Sequence, residues 1–142
     1  MLDRAAFEAV ISERIQKDTW YKLWGNMTIN PVSAITGATI DRIVGDREVR
    51  EFISRVMREA RDIGERMGLP IAEEPEDRLQ LLKALGAFKS SMLQDVDAGR
   101  PVELDALVTV VCELGQLTGV PTPCTNGLLG LARLHAQVHG LY

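Results

Sequence analysis

This 142-residue chain has few aromatic residues, only two cysteines and no strong excess of either charge. Aromatics make up 5% of it, so aliphatic side chains and methionine must fill its core. Cys112 and Cys124 sit in no CxxC pair and show no metal-ligand spacing. That excludes a disulfide framework or a zinc-ribbon reading and makes a reduced, cytoplasmic setting the expectation. No two glycines are spaced as GxG, and no strands alternate with helices, so the chain carries no dinucleotide-binding βαβ unit of its own. A net charge of −4 offers no general attraction to nucleic acid or to an anionic membrane.

Long apolar runs are missing too. Asp3, Arg4 and Glu8 interrupt any N-terminal leader. The stretch from Leu114 to Ala132 carries no charge, but Gly115, Gly119, Pro121, Pro123, Gly127 and Gly130 break it, so it is not read as a membrane span.

What is present is helix after helix, in a length that suits one domain. Asp46 is a candidate N-cap for a helix whose Val49, Phe52, Ile53, Val56, Met57, Ala60, Ile63 and Met67 recur at helical spacing up to Gly68. Pro75 opens a second helix, with Glu76 and Asp77 in its first turn and Leu79, Leu82 and Leu85 facing Phe88. A third holds Met92, Leu93 and Val96 and stops near Gly99. Pro101 opens a fourth, with Leu104, Leu107, Val108, Val111 and Leu114 inward, ending near Gly119. A last one runs through Leu128, Leu129, Leu131, Leu134 and Val138. Only Phe7 to Ser12 has a weak strand pattern. Gly25, Gly64, Gly86, Gly115 and Gly130 fall inside helical patterns, each costing about 1 kcal/mol against Ala. Close helix–helix approach, or a lining for a ligand, is the expected compensation. The fold class is therefore all-α, a compact multi-helix bundle.

The segment WYKLWGNMTINP, Trp20 to Pro31, is the most informative. Steps of four residues rotate about 40° on a helix, so Lys22, Asn26 and Asn30 form one polar stripe beside an apolar wall of Trp20, Leu23, Trp24 and Met27. Lys22 alone reads as a solvated charge, and Asn30 as the end of a helix before Pro31. Asn26 has no such explanation, since Asn is a modest helix former. Further on, Ser90 or Ser91 reads as a helix cap, Glu103 as a first-turn acid, and Arg100 as a surface partner for Asp95 or Asp97. His135 and His139 have an i, i+4 spacing but no third ligand nearby, so no metal site is expected. The two cysteines have no basic partner that would make either a nucleophile.

Taken in order, Trp20-Tyr21-Lys22-Leu23-Trp24-Gly25-Asn26, Asn30-Pro31-Val32-Ser33-Ala34-Ile35-Thr36-Gly37, Ser91-Met92-Leu93-Gln94-Asp95, Gly99-Arg100-Pro101, Glu103-Leu104-Asp105 and Gly119-Val120-Pro121-Thr122-Pro123 resemble the C-terminal domain of ketopantoate reductase (2-dehydropantoate 2-reductase). The resemblance spans nearly all the chain from Asp18 onward. It implies a helical domain like the C-terminal one of 6-phosphogluconate dehydrogenase, covering residues 1–142, with the NADPH-binding Rossmann domain absent from this chain. It also implies roles: Lys22 as general acid, Glu103 as an acid that contacts substrate and orders the site, and Asn26, Asn30 and Ser91 as substrate-binding groups. Val102 departs from the Thr common at that position, which bears on hydrogen bonding around Glu103. The implied reaction is NADPH-dependent reduction of ketopantoate to pantoate in pantothenate and coenzyme A synthesis, with this chain inactive alone. The implied partners are a small 2-oxo acid and a Rossmann domain, with a homodimer as a candidate assembly. Two other readings compete: a non-catalytic helical dimerisation or interaction module, and a reductase domain for a different 2-oxo acid.

Overall fold

Why the first helix runs so far is the key to the architecture. In a computed structural model of the chain, which describes residues 11–142, α1 spans Ile15–Thr36 and passes straight through Pro31. The expectation that Asn30 ends the helix before Pro31 is therefore corrected. Proline forfeits one N–H and crowds the preceding turn. The cost is tolerated because this half of the helix is held from all sides, with every residue from Met27 to Ala34 buried. Gly37 then ends it, at φ 70°, where its N–H reaches Ser33 O at 2.8 Å, the left-handed stop that glycine adopts without penalty.

Around α1 pack α2 (Ile40–Gly45), α3 (Arg47–Arg66), α5 (Ser91–Asp97), a π-helical stretch (Asp105–Thr109) and α7 (Pro123–Val138). Next, α4 (Pro75–Ala84) rests on α2 and α3, and α6 (Val110–Thr118) continues the π-helical stretch and packs on α3 and α7. Among the described residues there is no strand, and the molecule is an all-α multi-helix bundle. The weak strand pattern at Phe7 to Ser12 lies outside the described residues except at Ile11 and Ser12, which are not in a strand. No described helix is long and apolar enough to cross a membrane.

Two apolar clusters share α1. The larger joins Trp20, Trp24 and Met27 to Ile53, Val56, Met57, Ala60 and Ile63 of α3, all five fully buried. The smaller joins Ala34 to Met92, Leu104, Val108, Ala132, Ala136 and Leu141. Trp24 is completely enclosed, and its indole N–H donates to Met57 O at 2.8 Å. As its sequence suggests, α3 is capped by Asp46, whose carboxylate accepts from the Val49 N–H at 2.9 Å. Glu59, also on α3, does something its sequence does not announce. Its carboxylate accepts the N–H groups of Cys124 (2.9 Å) and Thr125 (2.8 Å) and the Thr125 hydroxyl (2.6 Å). It thereby caps the N-terminus of α7 from a different helix, where Thr122 offers no side-chain cap.

Other expectations need adjusting. The helix predicted from Pro101 begins at Leu104, and its first turn is π rather than α. Leu85 is 69% exposed and does not join Leu79 in the core, because α4 ends at Ala84. Gly86 lies beyond that end, at φ 86°, so it is a turn residue rather than a packing glycine. Gly25, Gly64, Gly115 and Gly130 are helical but not equivalent. A Cβ at Gly64 would sit 2.2 Å from Trp20 Nε1 and 2.8 Å from Leu69 O, and one at Gly115 would sit 2.6 Å from Thr122 Cγ2. One at Gly130 would meet nothing within 4 Å.

Two substitutions of the same kind should thus act in opposite directions. Gly64→Ala is expected to destabilise by about 1–3 kcal/mol through overpacking against Trp20. Gly130→Ala should be neutral or stabilising by up to about 1 kcal/mol from helix propensity alone. Urea denaturation of the two variants checks both signs.

Candidate functional site

Two of the three residues of the polar stripe line a cleft. Gly25, Asn26, Ile29 and Asn30 of α1 form one wall, Arg78 and Leu82 of α4 another, and Phe88, Lys89, Ser90 and Ser91 a third, enclosing about 180 Å³. The stripe descends from solvent into the protein: Lys22 is exposed, Asn26 half-buried and Asn30 buried. Among the described residues neither carboxamide side chain finds a hydrogen-bond partner. Both therefore have free donors and a free acceptor.

The third wall is fixed by serines. The Ser33 hydroxyl donates to Asn30 O at 2.8 Å. That leaves its oxygen to accept from Ser90, with which it is in contact in the buried interior. Ser90 in turn accepts the Leu93 N–H at 3.1 Å, capping α5. This relay ties the start of α5 to α1 and leaves Ser91, exposed, on the rim of the cleft. Of the two serines, Ser90 is the cap.

The cleft is cationic. Lys89 pairs with Asp97 at 2.6 Å. Arg78 lies with its guanidinium carbon 5.0 Å from the centre of the Tyr21 ring and donates from Nη1 to the Tyr21 oxygen at 3.1 Å. The Tyr21 hydroxyl donates in turn to Glu73, a bond that holds the phenol above its usual pKa, with burial adding to the effect.

The predicted residues thus fall into two groups. The cleft brings Asn26, Asn30 and Ser91 together. Lys22 stands one turn above Asn26 at its open end, and Glu103 is exposed just before Leu104; neither lines the cleft. Arg78 and Lys89 escaped the sequence reading because nothing marks them among the 16 Lys and Arg residues. Gly25 inside a helix is no signal for Arg78 either, since a Cβ there would meet Arg78 Nε and Nη2 at an ordinary contact distance of 3.4 Å.

Elsewhere, the His135 and His139 rings lie 4.3 Å apart. Burial and the neighbouring His139 lower the His135 pKa. Among the described residues no group of three or more His, Cys, Asp or Glu side chains is placed to hold a metal. Burial, with the Glu59 carboxylate nearby, raises the pKa of both Cys112 and Cys124. Neither thiol is activated.

The sequence profile described as Ketopantoate reductase PanE/ApbA C terminal matches residues 14–136. The chain is 41% identical over 139 residues to a 2-dehydropantoate 2-reductase of Mesorhizobium japonicum, covering 98% of this chain and 43% of that protein. It superposes with a TM-score of 0.94 and 55% identity on a crystal structure from Ralstonia solanacearum assigned to the ketopantoate reductases, covering 99% of this chain and 42% of that one. The 2-dehydropantoate 2-reductase of Methylococcus capsulatus gives a TM-score of 0.89 at 25% identity, over 96% of this chain and 48% of that one. The chain thus spans less than half the length of these relatives.

The serine relay sets up a contrast between neighbours. Ser90→Ala removes a cap and a buried contact and should cost about 1–2 kcal/mol. Ser91→Ala, on the rim, should change stability by less than about 0.5 kcal/mol. Chemical denaturation of the two variants measures the difference.

Proposed function

Since this chain belongs to the ketopantoate reductase C-terminal family, we propose that it is the substrate-holding, proton-donating domain of an NADPH-dependent 2-dehydropantoate 2-reductase. The observation that carries this reading is the cleft itself, where two unpaired carboxamides and a serine hydroxyl face a cationic wall. Those groups suit a small molecule with a carboxylate, a ketone and a hydroxyl.

The described residues include no strand and the sequence no GxGxxG, so a glycine-rich βαβ site is not among them. The hydride source is assigned to a Rossmann domain beyond this chain. The roles proposed for this chain's own residues are as follows. Asn26, Asn30 and Ser91 hold and orient the 2-oxo acid. Lys22, the exposed end of the stripe, is the proton donor. Its ammonium group stabilises the oxygen that becomes an alkoxide and gives it a proton. Glu103, also exposed, orders the site once that domain is docked.

A second reading has one observation in its favour. Leu131, Leu134 and Val138 of α7 are 62%, 59% and 73% exposed at helical spacing. A non-catalytic module that pairs through this face is the alternative, and sedimentation of the chain with and without Leu134→Lys distinguishes it.

With this chain joined to a nicotinamide-binding Rossmann domain, Lys22→Ala should lower kcat for ketopantoate reduction by about 10²–10⁴-fold. Unchanged turnover would remove Lys22 from the proposed role. The 142-residue chain alone should oxidise no NADPH, and steady-state absorbance at the nicotinamide band checks it.

A further inference from the structure

Arg78 is an arginine without an ion pair. No carboxylate among the described residues lies within salt-bridge distance of it; Glu73, which shares its group, accepts the Tyr21 hydroxyl instead. Its Nε is buried and has no hydrogen-bond partner among the described residues. Its Nη2 donates to none of them either. A half-buried guanidinium in that condition has given up water without gaining a counter-charge, and a ligand that brings one restores the balance.

Its pose is built rather than incidental. Tyr21 supports the guanidinium from below and accepts from Nη1, and Glu73 orients the phenol that does so. Nε and Nη2 lie against α1 beside Gly25. The other cation of the cleft, Lys89, is already paired with Asp97. Arg78 shares the cleft with Asn26, Asn30 and Ser91.

We infer that Arg78 is the carboxylate-binding residue of this cleft, positioned by Tyr21 and Glu73, and that it selects acids over neutral ligands of the same shape. The inference rests on the reading of the cleft as a 2-oxo acid site. Planar guanidinium donors match a carboxylate in a way that a lysine does not, so the geometry as well as the charge matters.

The test is calorimetric or NMR titration of the chain with ketopantoate and, in parallel, with its neutral cyclic ester, ketopantoyl lactone. Arg78→Met should weaken ketopantoate binding by about 10–100-fold, and Arg78→Lys should recover only part of it. Tyr21→Phe, which keeps the ring but not the hydroxyl, should weaken it less, by about threefold to tenfold. Lactone affinity should be unmoved in all three, a pattern that loss of fold cannot produce. Ketopantoate binding that survives Arg78→Met unchanged overturns the assignment of Arg78 alone. Equal losses for acid and lactone overturn it as well, by showing a merely structural role. Failure of the unaltered chain to bind ketopantoate overturns the reading of the cleft and this inference with it.

Discussion

Burying the second half of α1 on every side is the constraint that the other elements answer to. From Met27 to Ala34 the helix has no solvent face. Such a helix needs partners all around, and it has them in α2, α3, α5, α7 and the π-helical stretch. Its polar side chains lose water there and are either satisfied internally or left facing the cleft, except the Thr28 hydroxyl, which has no partner among the described residues. Ser33 takes the first course through Asn30 O and Ser90. Asn30 takes the second, as part of the cleft lining.

The same constraint explains how distant pieces of chain meet at one site. Ser90 caps α5 and is bound to Ser33, so α5 cannot drift from α1 without losing a cap and a buried contact together. On the other side, ion pairs of α3 with the α4 region, Arg61 to Glu74 at 2.9 Å and Arg58 to Glu76, hold the segment that leads to Arg78. Exposed pairs of this kind add little stability each. Their effect here is to fix where a half-buried arginine begins. Glu59 repeats the principle at the far end, where one carboxylate on α3 receives three donors from the first turn of α7.

Much of this was legible in the residues and some was not. The helix with its cap at Asp46, the proline start at Pro75, the all-α class and the grouping of Asn26 with Asn30 follow from local periodicity and capping chemistry, which short windows of sequence contain. Three features depend on tertiary contact and so leave no local mark. Pro31 persists inside a helix because neighbours enclose it. Glu59 caps a helix 65 residues further on. Arg78 is set apart from other basic residues only by what lies around it. Lys22 and Glu103 show the converse: the sequence singled them out by resemblance, while the geometry places both at the surface, outside the cleft lining.

The walls of the cleft come from α1, from α4 and from the residues that lead into α5, so the cavity exists only when those distant segments are folded together. An unfolded chain has nothing equivalent to offer a ligand. Any small acid that occupies the cleft therefore draws the whole bundle toward its native state by mass action, by about 2.7 kcal/mol at one hundred times its dissociation constant. The thermal midpoint of this chain becomes a gauge of occupancy, which needs neither a nicotinamide nor a single turnover to report which acids fit.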